Sequence, residues 1–94
     1  MLIVKTQRFN IEFEQILDFI AQDSLSRALS FQQELLNLVY QIVNFPLKNR
    51  QSPKTTNTNI RELIFKGYTI HYLVDEPNDQ IIILGIFNQN NWEM

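Results

Sequence analysis

Apolar positions change their spacing several times along the chain, and each change predicts a new element. Leu2-Ile3-Val4 is a short, β-branched run that reads as an N-terminal strand added to a sheet. Phe9, Phe13, Ile16, Leu17 and Ile20 then recur at helical spacing, while Glu12, Glu14, Gln15, Asp18 and Gln22 fill the other faces. This predicts an amphipathic helix of roughly four turns, entered near Thr6, whose hydroxyl can cap free amides. Asp23-Ser24-Leu25-Ser26 breaks the pattern with side chains that cap or turn the backbone, so a second helix begins there. That helix carries two apolar stripes: Ala28, Phe31, Leu35, Leu38, Ile42 and Phe45, and beside them Leu25, Leu29, Leu36, Val39 and Val43. Two stripes need two partners, and the simplest arrangement sets one against the first helix and the other against a sheet. A coiled coil is the competing reading, but the spacing lasts only about three heptads and lacks matching charged flanks. Pro46 ends the helix by disfavouring helical geometry at the residue before it.

The second half changes to strand patterning. Ile60 to Phe65 (IRELIF) and Tyr68 to Val74 (YTIHYLV) are rich in β-branched and aromatic residues, and only Lys66-Gly67 separates them. This is a two-residue hairpin signal, with Gly67 supplying the positive φ such a turn needs. If Phe65 faces Tyr68, Leu63 faces Ile70 and Arg61 faces Tyr72 on one side of the ribbon. Ile64 then faces Thr69, Glu62 faces His71 and Ile60 faces Leu73 on the other. Asp75-Glu76-Pro77-Asn78-Asp79 is a polar turn, and Ile81 to Phe87 (IIILGIF) is apolar on both faces, which places that strand inside the sheet. Pro46 to Thr58 (PLKNRQSPKTTNT) has no periodicity and reads as a long exposed loop, a type more often functional or mobile than merely connective. The polar run Asn88 to Asn91 leads to Trp92, which is expected to cover a sheet edge.

Composition narrows the chemistry. The 94 residues suit one domain spanning 1–94, enough to bury roughly 60 to 65% of the unfolded surface. Without cysteine there is no disulfide scaffold, thiol nucleophile or cysteine-zinc site, and a single histidine rules out a histidine-rich metal cluster. No metal or other cofactor is implied. No apolar run approaches the roughly 20 residues that span a bilayer, and the first residues lack the pattern of a signal peptide, so a soluble cytoplasmic protein with no membrane partner is expected. The net charge of −2 conceals an asymmetry: Lys48, Arg50, Lys54, Arg61 and Lys66 meet only Glu62 between residues 46 and 66, whereas residues 67–94 hold four carboxylates and no Lys or Arg. A polyanion contact would start in the middle segment, although a solvated loop with ordinary lysines has the same composition. Gly67 and Gly85 alone build no phosphate loop, and no hydroxyl-nucleophile signature is present. Glu62 and His71 form the one suggestive acid-base pair; its plainer reading is a cross-strand polar contact.

The strand, two helices and three-strand meander, with FP after the second helix, then IREL, GYTIHYLV and IIILGIF, resemble the RelE/ParE superfamily of bacterial toxins, which includes plasmid stabilisation proteins. The resemblance covers nearly the whole chain. It implies a β-α-α-β-β-β fold of the α+β class, with a helical hairpin packed on a mostly antiparallel four-stranded sheet. It also implies a toxin neutralised by a cognate antitoxin, usually encoded beside it. One branch of the superfamily cleaves mRNA on the ribosome and another poisons DNA gyrase. Ribonuclease members place basic side chains at positions corresponding to Ile60, Glu62 and Thr69, and an arginine where this chain has Asn91; none of these four is basic here. Their catalytic aromatic residue lies further on, beyond the last residue of this sequence. Cleavage by the RNA 2′-hydroxyl needs cations to stabilise extra charge on phosphate, and Glu62 would oppose that.

The chain therefore looks more like the gyrase-poison branch, acting by binding. The alternatives are a ribosome-dependent endoribonuclease using His71, Arg61 and the loop cations, with Glu62 as the histidine's neighbour, and a non-toxic member that only binds antitoxin. Target contacts are expected from Lys48, Arg50, Lys54, Lys66, Asn90, Asn91 and Trp92. The second helix has two apolar stripes but one adjoining helix, so an antitoxin is expected to cover residual apolar surface or an unpaired sheet edge. A homodimer sealing the helix faces would compete with that arrangement.

Overall fold

The computed structural model describes residues 1–88. In chain order the elements are β1 (Leu2–Lys5), α1 (Gln7–Asp23), α2 (Leu25–Gln41), β2 (Arg50–Gln51), β3 (Ile60–Phe65), β4 (Tyr68–Asp75) and β5 (Gln80–Asn88). Short 3-10 turns follow α2 at Ile42–Asn44 and separate β4 from β5 at Glu76–Asn78. The sheet order is β1-β5-β4-β3-β2, with β1 parallel to β5 and every other pair antiparallel. The helical hairpin packs on one sheet face, giving the expected two layers. Its core joins Phe9 and Phe13 of α1 and Phe31, Leu35 and Val39 of α2 to Ile70, Tyr72, Val74, Ile81, Ile83 and Ile86.

Local chemistry explains the helix boundaries. The Thr6 hydroxyl accepts the Phe9 amide at 3.0 Å and donates to the Ile83 carbonyl at 2.9 Å, so one side chain both starts α1 and ties it to β5. Ser24 accepts the Arg27 amide at 3.1 Å and its own amide donates to the Ile20 carbonyl, so a single residue closes α1 and opens α2. Phe45 leaves the helical region at φ −146°, ψ 76° ahead of Pro46, so it does not extend the core stripe as the spacing suggested. Leu25 and Leu29 of the second stripe are also exposed.

The β3–β4 register agrees with the sequence reading at every pair, from Phe65 opposite Tyr68 to Ile60 opposite Leu73. Both turn residues have positive φ, Lys66 at 49° and Gly67 at 84°, as a twisted two-residue hairpin turn requires. Space around Gly67 is open, with no heavy atom within 4 Å of where a Cβ would stand, so any substitution penalty there comes from the backbone. Gly67→Val should accordingly lower stability by about 1–2 kcal/mol, and Gly67→Asn by clearly less. Equal melting temperatures for the two variants would contradict this turn.

Two features depart from simple alternation. A register shift lets His71 pair with Gly85 while Tyr72 pairs with Ile83, leaving Leu84 as the extra residue. The bulge keeps Ile81, Ile83 and Ile86 in the core and turns Phe87 to the opposite face, next to His71. It is held from α1, where Glu12 accepts the Ile86 amide at 3.1 Å and Thr6 also donates to the Leu84 carbonyl at 3.2 Å. The second feature is β2. The sequence predicts four strands and a long exposed loop over 46–58, but Arg50 and Gln51 pair with Glu62 and Arg61 as a fifth strand. Side chains recruit it, because Arg50 and Ser52 both bond to Glu62.

Candidate functional site

The sheet face opposite the helices is set by hairpin register. It carries Ile60, Glu62 and Ile64 from β3, Thr69, His71 and Leu73 from β4, and Phe87 from β5. Glu62 and His71 are cross-strand partners there, as the sequence predicted, but both are only 2% exposed. The surface pair expected from sequence is thus a buried one. The Glu62 carboxylate is engaged by β2 and the residue after it: Arg50 reaches Oε1 at 2.8 Å and the Ser52 hydroxyl donates to Oε2 at 3.2 Å. Burial of a carboxylate is tolerable here because charge-assisted bonds replace its hydration.

His71 lies in edge-to-face contact with Phe87, their ring centroids 5.6 Å apart. Burial, reinforced by the positive charges of Arg8 and Lys54, lowers its pKa from 6.5 to about 4. The ring is neutral near pH 7 and accepts a proton poorly, which makes it a weak general base. The unfolded chain binds this proton below about pH 6.5 and the folded chain only below about pH 4, so stability is complete above 6.5 and declines as pH falls through that window. The expected loss by pH 4 is of the order of 2–3 kcal/mol. His71→Phe should flatten this part of the pH–stability curve, measured by urea unfolding at pH 4, 5, 6 and 7; an unchanged slope would remove His71 as its source.

Arg61 lies on the other face, opposite Tyr72. Its guanidinium donates to the carbonyls of Thr58, Leu47 and Asn49 at 2.9, 3.3 and 3.1 Å, so it fastens the loop rather than facing His71. Tyr72 is buried and its hydroxyl donates to the Pro46 carbonyl at 2.8 Å while accepting from Asn49 at 3.1 Å. Burial raises the phenol's pKa, against smaller opposing effects of Asn49 and Arg61.

The expected target-binding cations do not form one cluster. Lys48 is exposed beside the end of the second helix. Arg50 is paired with Glu62, and the Lys54 ammonium sits 5.1 Å from the centre of the Phe87 ring on the sheet face opposite the helices. Lys66, at the hairpin turn, pairs with Glu34 of α2 at 2.9 Å. Asn90, Asn91 and Trp92 lie outside the described residues. Sequence reasoning missed Ser52, buried at 1%, and Arg8, whose charge acts on His71. No local signal marked Ser52, because Arg50-Gln51-Ser52 is uniformly polar and has no strand pattern. Arg50→Ala leaves Glu62 with the Ser52 hydroxyl alone and should cost about 1–2 kcal/mol, discounted because Arg50 is largely exposed. Glu62→Gln in the same background should recover part of that loss; a strictly additive double-mutant cycle would deny the coupling.

Among the described residues no group of His, Cys, Asp or Glu could hold a metal ion, and no helix is long and apolar enough to cross a membrane. A helical hairpin over a mostly antiparallel sheet, with a short strand fastened to one edge, defines a small two-layer α+β fold. A solved structure titled "Chromosomal ParDE TA system from P. aeruginosa" matches with a TM-score of 0.75 at 18% identity, covering 94% of this chain and 95% of that one. No curated protein matches. Residues 3–91 match the family described as "ParE toxin of type II toxin-antitoxin system, parDE", and the chain belongs to that family.

Proposed function

We propose that residues 1–94 form a single cytoplasmic toxin domain that inhibits DNA gyrase by binding and is silenced by a co-encoded antitoxin. The observation that carries this reading is the chemistry of the sheet face opposite the helices. Where ribonuclease relatives would need cations, this chain has buried Ile60, Glu62 and Thr69. The nearby histidine is neutral at physiological pH and Arg61 is on the opposite face. None of these three positions offers a cation to a phosphate developing extra negative charge, and the neighbouring Arg50 guanidinium is already paired with Glu62, which disfavours phosphodiester cleavage. Membership of the ParE toxin family supports the same choice. Inhibition by binding needs only a complementary surface, and the exposed cations Lys48 and Lys54 supply part of one.

Controlled expression in bacteria separates the readings. DNA damage with accumulated gyrase cleavage complexes is expected, suppressed by the product of the adjoining reading frame. Codon-localised mRNA cuts without those complexes would instead assign an endoribonuclease, and normal growth would assign a member that only binds antitoxin.

A further inference from the structure

A solvent-facing apolar shoulder lies where the second helix gives way to the basic loop. Phe45 is 70% exposed and Leu47 44% exposed, although both are large apolar side chains in a small protein. Their backbone is anchored from beneath. Buried Tyr72 holds the Pro46 carbonyl, Asn49 bonds to the Tyr72 hydroxyl, and Arg61 holds the carbonyls of Leu47 and Asn49. Polar groups of the hairpin and of Asn49 thus hold a loop that leaves its apolar side chains in water. Phe45 and Leu47, with Met1 and buried Val74, line an open hollow of about 490 Å³ whose border includes Lys48 and Glu76. A surface ordered before contact loses little conformational entropy on binding, and an aromatic beside a shallow hollow is the usual anchor of a protein interface.

Charge identifies the occupant. The 46–66 segment looks suited to a nucleic acid by composition, but three of its five cations are engaged internally and a fourth, Lys54, lies over the Phe87 ring. Arg50 is neutralised by Glu62 and Lys66 by Glu34, and Arg61 is turned onto backbone carbonyls. The Lys48 side chain makes no hydrogen bond, ion pair or ring contact among the described residues, and it stands at the hollow. We propose that the Phe45–Lys48 shoulder and its hollow form a docking site for a protein segment that inserts an apolar side chain against Phe45, Leu47 and Val74 and sets a carboxylate on Lys48. Glu76 disfavours a second acid on its own side of the hollow. The shoulder, the hollow and the Lys48 side chain are the same whatever the cellular target of the protein.

The test uses the full-length ¹⁵N-labelled protein and synthetic hexapeptides in which one phenylalanine and one leucine are flanked by glutamates. The expected result is saturable amide shifts centred on Phe45, Leu47, Lys48, Val74 and Glu76. Replacing the peptide's apolar residues by alanine, or its glutamates by lysine, should weaken binding about tenfold or more. F45A and K48E alter exposed side chains, so each should keep the wild-type spectrum elsewhere while weakening the same titration about fivefold or more. The proposal is overturned by an absence of saturable shifts, by shifts centred elsewhere, or by equal binding of the lysine peptide. It is likewise overturned if a single-stranded oligonucleotide, rather than the acidic peptide, moves those amides.

Discussion

Phe9→Ala should destabilise the protein by about 3–5 kcal/mol, a larger effect than any other substitution proposed for the chain. Phe9 is fully buried in the first turn of α1, stacked on Phe13 with ring centroids 5.4 Å apart. Removing the ring opens a cavity between α1 and β5, where Thr6 and Glu12 bond to the backbone around the Leu84 bulge. Those bonds have little freedom to relax into the space, so the cavity persists and the cost lies near the top of the range for large-to-small changes. Small domains unfold with about 5–15 kcal/mol in total, so the variant should fall near the threshold of folding at 37 °C. Its melting temperature should drop by roughly 15–30 °C, at about 4–8 °C per kcal/mol for a domain of this size. Phe9→Leu refills much of the volume and should lose less than half as much. Urea unfolding of both variants checks this, and a loss below about 1 kcal/mol for the alanine variant would show that Phe9 is not a keystone.

A second large effect should come from the antitoxin. The chain exposes Phe19, Leu25 and Leu29 on its helices. On the sheet, β2 covers β3 only at Arg61 and Glu62, so the outer edge of Leu63–Phe65 has no strand beside it among the described residues. Apolar surface and an open strand edge are both stabilised by a partner that orders upon them. With a nanomolar dissociation constant and about 10 µM free partner, mass action adds roughly 5 kcal/mol to the folded state. The melting temperature should therefore rise by about 20 °C or more, with a negative heat-capacity change on binding from buried apolar area. Calorimetry with the product of the adjoining reading frame is the check. No heat at micromolar concentration, or an isolated chain that is already a homodimer through these helix faces, would remove the prediction.

How much of this was legible in the sequence depended on whether the information was local. The hairpin register could be read because Lys66-Gly67 permits one turn length and side chains alternate strictly from it. The helix boundaries at Thr6 and Ser24 could be read because caps are encoded by single residues. β2 could not, since Arg50-Gln51 has no strand propensity of its own and is held by Glu62, a residue twelve positions from Arg50. The same contact hid how Glu62 is engaged: a Glu facing a His on a ribbon looks solvated until Arg50 and Ser52 bond to it. The basic charge of residues 46–66 was visible, but its internal pairing with Glu34 and Glu62 was not. Phe45 falls off the predicted stripe because helical spacing continues through it, while the backbone turns away before Pro46.

The most direct test of inhibition by binding is a supercoiling reaction with purified chain, DNA gyrase, ATP and relaxed plasmid, run beside a translating ribosome loaded with a defined mRNA. Loss of supercoiling, trapped gyrase–DNA cleavage complexes that the antitoxin prevents from forming, and an intact message are expected. Normal supercoiling together with cuts in the ribosome-bound mRNA would contradict inhibition by binding.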